Sequence, residues 1–167
     1  FKWAFERVSV SRELETGVYN ISTANNHNID ISVDIDSLVP RTTEVIDSLK
    51  RSEIDIVKWQ IIKNPDSSYF IEINDSRLYL HANTNNSESN NQVVIGEYNP
   101  DYAWAYKWEI IPTDQEGVYK ICLFDNAAYG YLYLTGNKVQ INNSLSTGQY
   151  NPDQDNGYNF YIREVKQ

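Results

Sequence analysis

Hydrophobic and polar residues alternate with a period of two along several short stretches of this chain, a pattern typical of strands buried on one face. In 78–80 and 132–134 leucines occupy one face and a tyrosine the other, and 29–35 alternates in the same way. The pattern predicts an all-β fold of short strands joined by polar turns. Clusters of Asn, Asp, Ser and Gly separate such stretches, at 83–91, 125–130 and 142–148.

One stretch shows helical spacing instead. Val45, Ile46 and Leu49 form an apolar stripe there. Pro40 precedes the stripe, and two cationic residues follow it, where they complement the helix dipole. These signals predict one short helix across 42–52, which we interpret as an insertion covering one side of the fold.

The chain repeats at intervals of about fifty residues. Three tyrosines, each near the start of a segment, stand fifty residues apart: Tyr19, Tyr69 and Tyr119. Three further aromatic residues, each followed two positions later by Ile, close the segments: Trp59, Trp108 and Phe160. We expect all six of these rings in or beside the core.

Segments two and three agree in further detail. Arg77-Leu-Tyr-Leu80 matches Tyr131-Leu-Tyr-Leu134, and the blocks 96–101 and 148–153 share five of six residues. The sequence therefore predicts one domain, 1–167, made of three related segments. Their approximate bounds are 17–66, 67–115 and 116–167, with a leading strand in 1–10 that pairs near the C-terminal strand.

Three units of this kind, each with an aromatic strand at both ends and an apolar strand between, resemble a β-trefoil of the ricin-B lectin type. That resemblance implies a barrel with pseudo-threefold symmetry and a carbohydrate-binding function. The repeat layout and the Lys-Trp closing strands also resemble a family of Trp-rich mosquito salivary β-trefoil proteins. This narrower likeness implies a secreted, salivary, sugar-binding protein.

Charge and composition exclude some classes of binding partner. The formal net charge of −9 repels phosphate backbones and sulfated polysaccharides, so we expect no nucleic acid partner. The longest apolar runs are strand-like pieces far below the roughly 20 residues of a membrane span, which predicts no membrane insertion. The absence of Met, the start at Phe1 and four Asn-x-Ser sequons favour a secreted, extracellular protein.

Residues with catalytic chemistry lack partners at useful spacing. His27 and His81 have no ligand-spaced Cys, His or carboxylate nearby, so we expect both on the surface and no metal or cofactor. Cys122 lies in an apolar run and is interpreted as a small buried hydrophobe. Carboxylates such as Asp30 alternate with apolar residues, the pattern of a solvated face. We therefore expect a binding protein and no enzyme.

The ricin-type resemblance implies a sugar site made of an acid early in a unit and an aromatic ring on the following hairpin. Asp75 and Asp125 hold the early position, although Asp at such places also forms turns by bonding its own backbone. The candidate ligand-binding residues are Asp75, Arg77, Tyr79 and His81 in segment two, and Asp125, Tyr129, Tyr131 and Tyr133 in segment three.

The duplicated Tyr-Asn-Pro-Asp loops are the second candidate, through Asn99 and Asp101 in segment two and through Asn151 and Asp153 in segment three. A structural interpretation competes, because Asn before Pro is extended, Pro sets the turn and Asp caps the residues after it. After the first loop, Tyr102 and Trp104 are expected to offer exposed rings to a ligand or protein.

These residues support two functions. The first is a non-enzymatic, lectin-like protein whose partner is a carbohydrate or glycoconjugate, with Asp125 and Tyr133 of segment three expected to matter more than Asp75. The alternative is a protein-interaction domain, such as a protease inhibitor or a binder of a host or extracellular protein, that uses the polar loops at 83–91 and 142–148.

Overall fold

The computed structural model describes residues 12–34, 38–44, 57–83, 91–134 and 144–166. These residues form two short 3-10 helices, Pro100–Ala105 and Pro152–Gly157, and twelve β-strands. The strands are β1 (Gly17–Thr23), β2 (Asn26–Asp34), β3 (Val39–Glu44), β4 (Trp59–Lys63), β5 (Tyr69–Ile73), β6 (Tyr79–Ala82), β7 (Asn91–Gly96), β8 (Trp108–Pro112), β9 (Val118–Leu123), β10 (Tyr131–Leu134), β11 (Leu145–Gly148) and β12 (Phe160–Glu164).

Six strands close a barrel, because each pairs with an antiparallel neighbour on both sides. Strand β1 pairs with β12 and β4, β5 pairs with β4 and β8, and β9 pairs with β8 and β12. Following the pairings gives the ring β1-β4-β5-β8-β9-β12, which returns to its start. Strands β1 and β12, the first and last among the described residues, thus lie side by side.

The other six strands form three hairpins, β2–β3, β6–β7 and β10–β11. The hairpins contact one another: β7 pairs with β11, Arg41 forms a bridge with Ser144, and the backbone N–H of Ile95 donates to the carbonyl of Leu38 at 2.9 Å. A six-stranded barrel with three hairpins, repeated as three four-strand units, is a β-trefoil. The predicted fold class is confirmed.

The six repeated aromatic residues lie in the core, as the sequence predicts. Trp59, Trp108 and Phe160 are fully buried, and the three tyrosines are at most 6% exposed. The indole N–H groups of Trp59 and Trp108 donate to the carbonyls of Ile31 and Leu80, both at 3.0 Å. Each bond joins a barrel strand to the hairpin of its own unit, which satisfies a buried donor and fixes the hairpin's position.

At one end of the barrel, the segment 12–15 accepts a hydrogen bond from each repeated tyrosine. The hydroxyl of Tyr19 donates to the carbonyl of Glu15 at 2.8 Å, that of Tyr69 to Leu14 at 2.9 Å, and that of Tyr119 to Arg12 at 2.7 Å. The side chain of Leu14 is buried in the core. One asymmetric segment therefore serves three equivalent side chains.

Two sequence-based predictions about segment one need correction. Residues Thr42 to Glu44, predicted to begin a helix, belong to β3, where Thr42 pairs with Ile31. Pairing with β2 supplies this stretch with the backbone partners of a strand. The rest of the predicted helix, 45–52, and the leading strand in 1–10 lie outside the described residues. Asp30, expected on a solvated face, is buried.

The match between segments two and three is also shifted. Tyr79 pairs with Gly96 and Tyr131 pairs with Gly148, so Tyr79 is equivalent to Tyr131. The sequence match instead aligns Tyr79 with Tyr133, two positions later. The reason is that the turn from Asp125 to β10 is two residues longer than the turn from Asp75 to β6. The structural equivalent of Tyr133 is His81.

Candidate functional site

A surface depression of about 530 Å³ lies in segment three, between the β10–β11 hairpin and the second 3-10 helix. Residues of the hairpin form part of its wall, and the loop that carries the Tyr-Asn-Pro-Asp sequence forms most of the rest. The lining residues are Tyr129, Tyr133, Gly148, Gln149, Tyr150, Asn151, Pro152, Gln154 and Tyr158.

Local sequence rules set the shape of the loop that lines this depression. Asn151 is extended, with φ of −116°, as expected before Pro152, and its side chain accepts a hydrogen bond from the backbone N–H of Asp153 at 3.0 Å. Asn151, and not the predicted Asp153, is therefore the cap. The hydroxyl of Tyr158 donates to the carbonyl of Gln149 at 2.9 Å and ties the loop to the strand end.

The same construction holds the loop of segment two. Asn99 caps the first 3-10 helix by accepting from the backbone N–H of Asp101 at 3.0 Å. The hydroxyl of Tyr106 donates to the carbonyl of Glu97 at 2.7 Å. The duplicated block is thus explained by backbone structure in both segments, as its structural interpretation expected.

The chemistry of the depression is aromatic and amide. Its lining side chains include four tyrosines and the amides of Gln149, Asn151 and Gln154, and none of its lining residues is charged. The rings of Tyr133 and Tyr158 lie with centroids 5.3 Å apart, and Asn151 Nδ2 donates to Gln154 Oε1 at 3.2 Å. Such a surface offers rings and neutral hydrogen-bonding groups but no charge to pair with an ionic ligand.

The structure brings together some of the residues predicted for segment three. Tyr129, Tyr133 and Asn151 line the depression, whereas Asp125, Tyr131 and Asp153 are not among its lining residues. Asp125 is exposed in the turn before β10, with φ of 58°. Tyr131 is half-buried against Tyr150, with ring centroids 5.4 Å apart.

In segment two the equivalent face is filled by packed rings. Tyr79 contacts Phe70, Tyr98 and Tyr106 at centroid distances of 5.7, 6.2 and 6.5 Å. His81, expected on the surface, is half-buried and stacks on Tyr106 at 4.4 Å, and burial lowers the pKa of its imidazole. The close approach needs glycine at 96, because a Cβ there would lie 2.9 Å from His81 Nε2.

The other segment-two candidates lie in turns or at the surface. Asp75 and Arg77 are exposed and have φ of 63° and 60°, as turn residues do, and Asp75 accepts from Asn74 Nδ2 at 3.0 Å. A ligand role for them stays a prediction. Tyr102 is 41% exposed as expected, but Trp104 packs half-buried against the core.

Five of the lining side chains were not among the candidates from sequence: Gln149, Tyr150, Pro152, Gln154 and Tyr158. The signal that could have found Tyr150 is the duplicated block itself, in which the tyrosine repeats along with Asn and Asp. Tyr158 occupies the same place before the closing aromatic as Tyr106 does in segment two. Cys122 is buried as predicted, and burial raises the pKa of its thiol to about 12.

Comparison with known proteins gives the fold its class. No family model and no curated protein sequence matches the chain. A ricin B-like lectin from Macrolepiota procera, solved in complex with lactose, is similar over 93% of this chain and 100% of its own, with a TM-score of 0.67 and 11% identity. The chain thus shares the β-trefoil fold of this lectin.

Two further structures share this fold. A mosquitocidal holotoxin is similar over 92% of this chain, with a TM-score of 0.74 and 16% identity, and the chain spans only 18% of that toxin's length. A salivary protein of the Cysteins and Tryptophan-Rich family from Culex quinquefasciatus is similar over 92% of this chain and 96% of its own, with a TM-score of 0.60 and 15% identity.

Two kinds of feature are absent from the described residues. Within 12–34, 38–44, 57–83, 91–134 and 144–166, no helix has the length and apolar character needed to cross a membrane. The same part of the chain holds no group of three or more His, Cys, Asp or Glu side chains arranged to bind a metal ion.

Proposed function

We propose that this chain is a non-enzymatic, lectin-like protein that binds a neutral saccharide in the depression of segment three. The observation that carries the proposal is the uncharged lining of four tyrosines and three amides. Tyrosine rings cover the apolar C–H faces of a sugar, while amides and phenols exchange hydrogen bonds with its hydroxyls. A neutral ligand of this kind matches every group that the depression presents.

The fold supports the same class of ligand. The Macrolepiota lectin, whose structure holds lactose, has the β-trefoil over its whole length. At 11% identity that likeness concerns the fold, so the choice of site rests on this chain's own residues. Because sugar hydroxyls exchange bonds with water for bonds with protein, each contact adds little, and we expect weak binding at a single site.

The test is titration calorimetry with a panel of neutral mono- and disaccharides at high concentration. We expect Tyr133→Ala to weaken binding of the responding sugar by about 1 to 3 kcal/mol, roughly fivefold to 150-fold, because a ring that packs against the ligand is lost. Tyr102→Ala is the control: it removes an exposed tyrosine of segment two and should leave binding unchanged.

Two outcomes contradict the proposal. One is the absence of any heat or glycan-array signal from the wild-type protein. The other is equal binding by wild type and Tyr133→Ala while circular dichroism shows both folded. Equal weakening by Tyr102→Ala would place the binding face elsewhere on the molecule.

We further propose that the protein is secreted and acts outside the cell, where it meets free and surface glycans. The four Asn-x-Ser sequons support this location, because such sites are glycosylated along the secretory route. The salivary role that the narrower resemblance implies also stays a prediction. Immunodetection in secretions and in cell extracts of the source tissue tests both, and retention of the protein inside cells would contradict them.

A protein partner is the second candidate, and one observation favours it. Tyr98 and Tyr102 are each 41% exposed on one loop of segment two, and exposed tyrosines are frequent anchors at protein interfaces. Capture of a partner by wild type but not by a Tyr98→Ala/Tyr102→Ala double variant, after glycans are removed, supports it. Capture that depends on glycans would instead support a carbohydrate ligand.

A further inference from the structure

Tyr150, one wall of the depression, is held from two directions. Its hydroxyl donates a hydrogen bond to the carboxylate of Asp155, and this bond raises the pKa of the phenol to about 12. Its ring lies under the ammonium of Lys120, with Nζ 5.1 Å from the ring centroid, within the range of a cation–π contact. Both the hydroxyl and the face of this ring are therefore restrained.

The two groups that hold Tyr150 also hold each other. Lys120 Nζ lies 2.8 Å from Asp155 Oδ1 and donates to Asn159 Oδ1 at 2.6 Å, while Asn159 Nδ2 donates to Asp155 Oδ2 at 2.6 Å. Burial alone would raise the pKa of Asp155, but hydrogen bonds from Lys120, Tyr150 and Asn159 outweigh it and lower that pKa. The carboxylate is therefore ionised at neutral pH.

Segment two lacks this arrangement at the equivalent positions. By the registers of the two units, Phe70 stands in the place of Lys120, Ala103 in that of Asp155, and Tyr98 in that of Tyr150. The ring of Tyr98 packs on that of Phe70, with centroids 5.5 Å apart, so an aromatic ring supports it in place of a cation. Lys107, in the place of Asn159, pairs instead with Asp66 at 2.6 Å.

We propose that Lys120 and Asp155 are positioning residues that fix the ring of Tyr150 across the depression, and that they make segment three the saccharide-binding segment. The inference rests on the proposed function and adds which residues prepare the site. Neither side chain is among those lining the depression, so each acts through Tyr150.

The pair of Lys120 and Asp155 affects ligand binding more than folding. The Lys120 and Asp155 side chains are 18% and 43% exposed, and ion pairs at such exposure contribute little to stability. A ring that is already ordered before the ligand arrives loses less freedom on binding, and that saving appears in the affinity. The arrangement should therefore matter for the ligand more than for the fold.

The experiment compares Lys120→Met with Lys120→Arg and with a matched control, Lys107→Met, which breaks the Lys107–Asp66 pair of segment two. Calorimetry gives the Kd for the sugar that the wild type binds. NMR of ring-labelled tyrosine, with the Tyr150 signal assigned from Tyr150→Phe, gives the ring-flip rate without any sugar. Denaturant unfolding checks that each variant is folded.

We expect Lys120→Met to raise the Kd by up to about tenfold, since the released ring must be ordered when the ligand binds, and to speed the Tyr150 ring flip. Lys120→Arg should restore both, because a guanidinium keeps the charge over the ring and the bond to Asp155. Lys107→Met should match the wild type in both. Asp155→Ala, which releases the hydroxyl, should behave as Lys120→Met does.

Failures of the two proposals differ. If the wild type binds sugar and Lys120→Met binds equally well, or if the Tyr150 flip rate does not change, the positioning role is wrong while the proposed function stands. If no sugar binds to the wild type, the proposed function is wrong and the assignment of the binding segment falls with it. A loss of affinity that Lys120→Arg does not recover would overturn the role of the charge.

Discussion

At the scale of single residues, one position of the repeat shows what a side-chain donor contributes. Trp59 and Trp108 each bond a hairpin carbonyl 28 residues earlier in the chain. Phe160 takes the same place in the third unit, where the residue 28 positions earlier is Leu132, and phenylalanine has no donor to offer. The fold thus contains both versions of one contact.

We predict that Trp108→Phe lowers the free energy of unfolding by about 1 to 3 kcal/mol, because the buried carbonyl of Leu80 loses its partner and a space is left beside it. Urea unfolding measures the difference. Phe160→Leu is a useful comparison, since it removes ring volume at the equivalent position without removing any hydrogen bond. A Trp108→Phe variant as stable as the wild type would show that the indole bond contributes nothing.

Cys122 gives a second prediction at this scale. Burial raises the pKa of its thiol to about 12, so at pH 8 the folded protein holds it neutral and enclosed. We expect a thiol reagent to modify it slowly in buffer and rapidly in urea, at the rate of an ordinary cysteine. Equally fast modification in both conditions would mean that the thiol is reachable in the folded state.

At the scale of elements, the segment 12–15 and the three repeated tyrosines form one unit. The three hydroxyls come from β1, β5 and β9, which are related by the pseudo-threefold symmetry, yet their acceptors belong to a single stretch of chain. Burial raises the pKa of all three phenols, that of Tyr69 to about 12. The phenols are therefore neutral donors over the ordinary pH range.

This arrangement predicts a loss of stability in alkali. A phenol whose pKa is raised on folding stabilises the protein fully below its ordinary pKa of 10, and that contribution disappears as the pH rises toward 12. Tyr69→Phe should be less stable at pH 8, by about 1 kcal/mol, and should lose less on going to pH 11. Thermal unfolding at both pH values measures this, with exposed Tyr102→Phe as the control. A parallel decline of both variants and the wild type would contradict the assignment to Tyr69.

The elements also show where sequence reasoning stops. Period-two alternation and the fifty-residue spacing were enough to predict the barrel strands and their buried aromatic residues, because those positions obey local rules. The two-residue shift between the hairpins was missed because Leu-Tyr-Leu occurs in both segments and conceals the longer turn after Asp125. The strand conformation at Thr42 was missed because this residue takes it from pairing with Ile31, a contact the local pattern does not contain.

The candidate site could be predicted only in part. Tyr129 and Tyr133 were found because they alternate with other residues of one strand-like stretch, in which the leucines face the core. The pair of Lys120 and Asp155 could not be found, since the two residues lie 35 positions apart and meet only when β9 and the second 3-10 helix pack together. The sequence identifies the side chains on one face of a strand, whereas tertiary packing determines which charged residues contact those side chains.

At the scale of the whole molecule, the barrel is a ring whose integrity depends on β12. Strand β12 pairs with β1 on one side and β9 on the other, so its removal leaves two barrel strands with unpaired edges. Exposed strand edges invite pairing with other chains. We predict that a chain ending before Phe160 aggregates at concentrations where the full chain stays monodisperse, as light scattering would show. A monodisperse truncated chain with native circular dichroism would disprove this.

The pairing of β1 with β12 also determines when the barrel can close during synthesis. Residues Tyr19 and Glu164 are partners, yet nearly the whole chain separates them. During synthesis β1 therefore stays unpaired on that side until β12 has left the ribosome. Contacts so distant in sequence make closure slow compared with the formation of the local hairpins. The growing chain thus carries an open β1 edge while the residues between β1 and β12 are made, and such an unpaired edge is prone to aggregation.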